Sequence, residues 1–126
     1  MKVGHRTYFT VISKGASSLF SLIADGKYRS TSLGRETWKS LIGPEGSLQR
    51  HCGKEGFNAK CKRPGFPKAR IGILGNNEND CWSCDSRIGF GIKGNEREPN
   101  TCGNKANFSP DNGDKNIKTM GYILVQ

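Results

Sequence analysis

The stretch "RIGILGNNENDCWSCDSRIGFGI", residues 70–92, sets two similar apolar runs on either side of a polar loop carrying Cys-x-x-Cys. Arg70 to Gly75 and Arg87 to Ile92 mix branched and aromatic residues with glycine and read as two neighbouring strands. The loop between them, Asn76 to Asp85, offers three chemistries: metal, redox, or a disulfide-pinned turn. Redox is disfavoured, because a strand rather than a helix follows "CWSC" and the flanking acids raise a thiol pKa. Calcium wants six to eight oxygen ligands, and Asn76, Asn77, Glu78, Asn79, Asp80 and Asp85 supply oxygens densely. "SPDNGDKN", residues 109–116, adds more, so that two loops can share one ion. The candidate calcium ligands are Glu78, Asp80, Asp85, Asp111 and Asp114. Neither loop has EF-hand spacing, and Asx-rich segments are ordinary turn material. The favoured reading is the pinned turn, with Cys81 and Cys84 straddling Trp82 and tied to distant loops through Cys61 and Cys102.

The whole chain, 126 residues, is one domain with a modest core. Seventeen glycines are about twice the usual share, which favours a turn-rich β domain over a helical bundle. No run approaches the roughly 18 apolar residues of a membrane span. The start, "MKVGHRTYFTVISKG", lacks a signal-peptide core. Met1 therefore reads as a start or domain boundary, any leader of a secreted parent having been removed. Five cysteines suit a secreted disulfide framework better than a zinc ribbon, since only one closely spaced pair exists. The odd thiol leaves a bond to a second chain open, and with it a homo-oligomer.

Along the chain, "RTYFTVIS" (Arg6 to Ser13) and "SLFSLIA" (Ser18 to Ala24) are expected to form a hairpin. "STSLGRETWKSLIGPEG" is the credible helix, capped by Ser32, presenting Trp38, Leu41 and Ile42 on one face and stopped by Gly43-Pro44. Gly46 to Arg70 reads as irregular, and polar coil follows Ile92 as far as Thr119. The closing run "MGYILVQ" reads as a strand deep in the sheet.

The net charge of +9 attracts polyanions. Lys54, Lys60, Lys62, Arg63, Lys68 and Arg70 crowd around Cys52 and Cys61, with Phe57 and Phe66 interleaved. Basic residues with aromatics suit sulfated sugars or single-stranded nucleic acid. No RNA-binding or helix-turn-helix pattern accompanies them, so nucleic acid is not expected.

Taken together, "GSLQRHCGKEGFN", "ARIGILGNNENDCWSCDSRIGFG", "TCGN" and "DNGDKNIKTMGYILVQ" resemble the C-terminal part of fibrinogen-like and intelectin-like extracellular domains. The nearest likeness is a module of cnidarian, especially coral, secreted and skeletal organic matrix proteins. It covers Gly46 to Gln126 well and the rest loosely. The resemblance implies a secreted, disulfide-containing β-rich domain for recognition or matrix assembly, with an acidic calcium loop at Asn76 to Asp85. The Asp-x-Asp spacing of the fibrinogen calcium loop is absent, and no histidine follows Cys52.

These readings converge on a β-rich α+β domain: an antiparallel sheet, one packed helix and long disulfide-pinned loops. The expected function is non-catalytic, lectin-like binding outside the cell, calcium-assisted, through Asn76, Asn77, Glu78, Asn79, Asp80, Trp82 and Asp85. Convergent amides and carboxylates suit sugar hydroxyls, and Trp82 can stack under a pyranose. Two alternatives use the basic residues instead: a matrix or adhesion protein holding sulfated polysaccharides or acidic matrix components, and a defence protein acting on anionic microbial surfaces. With His5 and His51 the sole histidines, no acid–base constellation is visible.

Overall fold

The computed structural model describes residues 1–65, 67–94 and 97–126. Phe66, one of the two aromatics expected among the basic residues, lies outside them. In chain order the elements are β1 (Lys2–Val3), β2 (Arg6–Thr7), α1 (Leu19–Ile23), β3 (Arg29–Ser30), α2 (Arg35–Ser40), β4 (His51–Lys60), β5 (Lys68–Asn76), β6 (Ser86–Lys93), β7 (Thr101–Ala106) and β8 (Lys115–Lys118). The two apolar runs are β5 and β6, paired with Ile71 opposite Phe90 and Ile73 opposite Ile88. They sit inside a six-stranded antiparallel sheet, β3 to β8, whose strand order follows the chain. The β-rich class with a packed helix is therefore what the chain adopts, with a second short helix and the β1–β2 ribbon added.

Strand alternation sends Phe57, Ile71, Ile73 and Ile88 to one face, where they pack on Leu22 of α1 and on Trp38, Leu41 and Ile42. Ser32 does not cap α2. The N-cap is Gly34, at φ 87° and without a side-chain cap bond. The cap comes instead from β4, where the Glu55 carboxylate accepts the amides of Leu33 (3.0 Å) and Gly34 (2.8 Å). It also takes the Trp38 indole at 2.7 Å and the Thr31 hydroxyl. Burial alone would raise the Glu55 pKa, but these donors outweigh it and hold the carboxyl below its ordinary value. A buried acid thus ties the helix start to the sheet.

Five other expectations need correction. "SLFSLIA" contains helix α1 rather than a strand, because Ser18 and Ser21 form a capping box that satisfies its first amides. "RTYFTVIS" contributes only the two residues of β2. The supposedly irregular basic segment contains the ten-residue β4, and the supposed coil after Ile92 contains β7 and β8. "MGYILVQ" is not deep in the sheet. Only Met120 bridges, to Lys2, while Tyr122, Leu124 and Val125 are exposed.

The sheet is sharply curled. Gly56, Gly72, Gly89 and Gly103 stand opposite one another in a row across β4 to β7. A Cβ on Gly89 would lie 2.2 Å from the Ile71 carbonyl oxygen, and one on Gly103 1.9 Å from that of Ile117. Only bare backbone permits this approach. Asn58 (φ 54°) and Gly91 (φ 58°) bend their strands further. Consequently Ala59 and Ile92 face a second cluster with Ala69, Leu74, Cys61 and Cys84, on the side away from the helices.

Candidate functional site

The loop from Asn77 to Asp85 leaves the end of β5 and covers the second cluster. Cys81 bonds to Cys52 and Cys84 to Cys61, so both halves of the Cys-x-x-Cys are stapled to β4 and to the residue just after it. Cys61 is the expected partner. Cys102 is not: it is free and half-buried, and Cys52 takes its place. The staples also reveal the curl. With Cα separations of 5.0 and 6.0 Å across the bonds and two residues between Cys81 and Cys84, Cys52 and Cys61 lie at most about 22 Å apart. A straight strand would put them about 30 Å apart. Consistent with that bend, the Lys54 ammonium reaches back to the Lys60 carbonyl at 3.1 Å.

Two of the expected sugar and calcium groups, Asn76 and Asp80, build the loop itself. Asn76 is fully buried, and its amide donates to the Asp80 carbonyl and carboxylate at 2.9 and 3.0 Å. The same Asp80 carboxylate accepts the Trp82 amide at 2.8 Å. Asp85 is half-buried, and burial raises its pKa. Asn77, Glu78, Asn79 and Trp82 remain exposed, Trp82 at 50%. Asp111 is held elsewhere by Arg35 (2.7 Å), Lys39 (2.8 Å) and the Leu48 amide. Among the described residues, no three or more His, Cys, Asp or Glu side chains, Glu78, Asp80, Asp85, Asp111 and Asp114 included, converge to hold an ion.

The basic candidates behave differently, because strand register gathers them. Lys60 stands opposite Lys68, and Lys68 opposite Lys93, on three consecutive strands. Side chains so paired share a face with Cβ atoms about 5 Å apart, and like charges in that arrangement repel. Lys54 lies close enough to Lys60 and Lys62 that, after burial, their charges further lower its pKa. Its ammonium also sits 4.5 Å from the centre of the Tyr28 ring. None of Lys54, Lys60, Lys62, Lys68 and Lys93 forms an ion pair with a described residue. Arg70 is spent on structure, donating to the Ile23 carbonyl and to Asn58.

The two candidate regions also touch. Amides of Lys62 and Arg63 donate to the carbonyls of Cys81 (2.9 Å) and Trp82 (3.0 Å), laying the backbone of the basic segment beside that of the loop. Sequence reasoning missed Lys93 and Tyr28. Lys93 was findable in principle, since a hairpin pairing Ile73 with Ile88 carries Lys68 to Lys93. Tyr28 had no local signal.

A cleft of about 450 Å³ lies elsewhere, between Tyr8 and the end of α2. Its polar lining is already engaged, Lys39 with Asp111 and Asn112 with the carbonyls of Pro44 and Gly46. Among the described residues no helix is long and apolar enough to cross a membrane. No family model, curated protein or solved structure matches this chain.

Proposed function

We propose that this chain is a non-catalytic, secreted binding domain for acidic polysaccharide, held by the lysine row. The observation that carries the reading is the Lys60–Lys68–Lys93 row, three like charges in register with no acid among the described residues to neutralise them. Such repulsion costs stability in the free protein and is relieved by a linear polyanion lying across the strands. Neighbouring strands are about 4.8 Å apart, so the row suits a chain with closely spaced sulfates or carboxylates. Lys54 and Lys62 extend the charge, and Trp82 offers an aromatic surface beside it. Two disulfides fit an oxidising, extracellular setting, as does the resemblance to secreted matrix modules.

A second reading keeps the exposed Trp82 with Asn77, Glu78 and Asn79 as a neutral-sugar site assisted by calcium. A glycan array containing sulfated polysaccharides, run with calcium and with chelator, separates the two. The lysine reading expects binding to sulfated or uronate-bearing chains that survives chelation and fades with salt. Saturable binding of a neutral sugar, abolished by chelator, transfers the ligand to the loop. Absence of any binding defeats both.

A further inference from the structure

Between the far half of the sheet and the segment around Glu98 lies a cavity of about 130 Å³ that the lysine row does not use. Register places Arg87, Lys105 and Asn116 side by side on β6, β7 and β8. Lys118, two residues beyond Asn116, stands opposite Gly103 and also lines the cavity. Arg87 is 5% exposed, and its Nε has no hydrogen-bond partner among the described residues. One carboxylate is already inside: Glu98 accepts from Arg87 through one oxygen and from Lys105 at 2.7 Å through the other. The backbone closes tightly over this pair, since a Cβ on Gly94 would fall 2.1 Å from Glu98 and 2.6 Å from Arg87. Among the described residues, three cations thus line the cavity against one anion, and Lys118 pairs with no acid.

We propose that this cavity is a separate binding site for a small molecule carrying one carboxylate, such as a free sugar acid. The choice of carboxylate rests on Glu98, which shows that Arg87 and Lys105 hold that group between them. The incoming carboxylate sits between Lys105 and Lys118, with the Asn116 amide and Thr101 hydroxyl on its remaining oxygens or on neighbouring hydroxyls. Arg87 contributes its charge from behind without moving. The volume admits one such unit and excludes a polymer backbone, which separates this site from the row at Lys60, Lys68 and Lys93.

Titration of the full chain with glucuronate, followed by amide chemical shifts at constant ionic strength, tests the assignment. Glucuronate should give saturable shifts centred on Thr101, Lys105, Asn116 and Lys118, whereas glucose should give none. Lys118→Gln, an exposed change, should weaken binding about tenfold. Lys68→Gln, which disrupts the row, should leave it unchanged, so that failure here and failure of the polysaccharide reading are told apart. Shifts spread over Lys60, Lys68 and Lys93, or an affinity indifferent to Lys118→Gln, overturn the proposal. Inorganic sulfate binding at the same residues as tightly as glucuronate overturns the carboxylate assignment.

Discussion

The two faces of the sheet are held by different physics. On the helix side, Trp38, Ile42, Ile73 and Ile88 form a continuous apolar core, and one buried carboxylate, Glu55, organises the polar groups that enter it. On the other side the cluster is small, with Ala59, Ala69, Leu74 and Ile92 as its cysteine-free members, and two disulfides hold the loop above it. Burial suffices where large side chains meet. Where glycine and alanine leave little to bury, covalent cross-links take over. The charge follows the same division. On the helix side, Asp111 balances Arg35 and Lys39. Beside the stapled loop, Lys54, Lys60 and Lys62 have no such balance among the described residues.

The sharpest way to break this contrast is Glu55→Ala. Removing the acceptor strands the Trp38 indole and the amides of Leu33 and Gly34, and we expect a loss of about 4 kcal/mol in urea unfolding. Because the folded pKa of Glu55 is lowered, its contribution is complete above the unfolded carboxylate pKa and disappears as pH falls through the folded value. The wild type should therefore lose its advantage over Glu55→Ala below about pH 4. A constant difference across that range would remove Glu55 from the account.

Opening the other face should cost slightly less. The paired change Cys61→Ser with Cys84→Ser releases a cross-link spanning 23 residues, worth about 3 kcal/mol. If the faces are separately held, amide exchange should accelerate in residues 77–85 while α2 stays protected. Equal loss of protection in α2 would show that the staple supports the whole core.

Lys68→Glu should act in the opposite sense. It breaks the like-charge row and should stabilise the fold by about 0.5 kcal/mol. The same change should weaken retention on immobilised sulfated polysaccharide several-fold. A variant that gained stability with binding intact would detach the row from function. The smallest effect belongs to Lys54, whose lowered pKa means that it loses charge earlier than an ordinary lysine as pH rises. Retention should decline at a lower alkaline pH in the wild type than in Lys54→Arg, and coincident pH profiles would remove Lys54 from the site.

How much of this was legible depends on where each signal resides. β5 and β6 declare themselves because their apolar residues flank a turn-forming loop, and the helix over Trp38 does so through its i, i+3, i+4 spacing. β4 hides because half of "HCGKEGFNAK" is polar, and Glu55 reads as solvent-facing until its donors from residues 31–38 are seen. "MGYILVQ" misleads in the other direction, since apolar composition signals burial only where a partner surface exists. The acidic loop attracted attention as a ligand set, yet the Asn76 amide and the Asp80 carboxylate are engaged with each other. Lys60, Lys68 and Lys93 span 33 residues of sequence, and nothing but strand register brings them together.

The order of strands has a further consequence, for how the chain acquires its shape. In a meander every strand pairs with the next one made, so each hairpin can close on local contacts before the following strand arrives. Cys52 lies near the start of β4 and Cys61 just after its end, while Cys81 and Cys84 come only after β5, so the first three strands of the long run are in hand by the time β6 follows them. Oxidation therefore meets thiols already aligned by hairpin formation, and Cys102, on β7, emerges after both correct partners are present. The cross-links record a pairing that the backbone has chosen, and Cys102 on β7 is left as the free thiol.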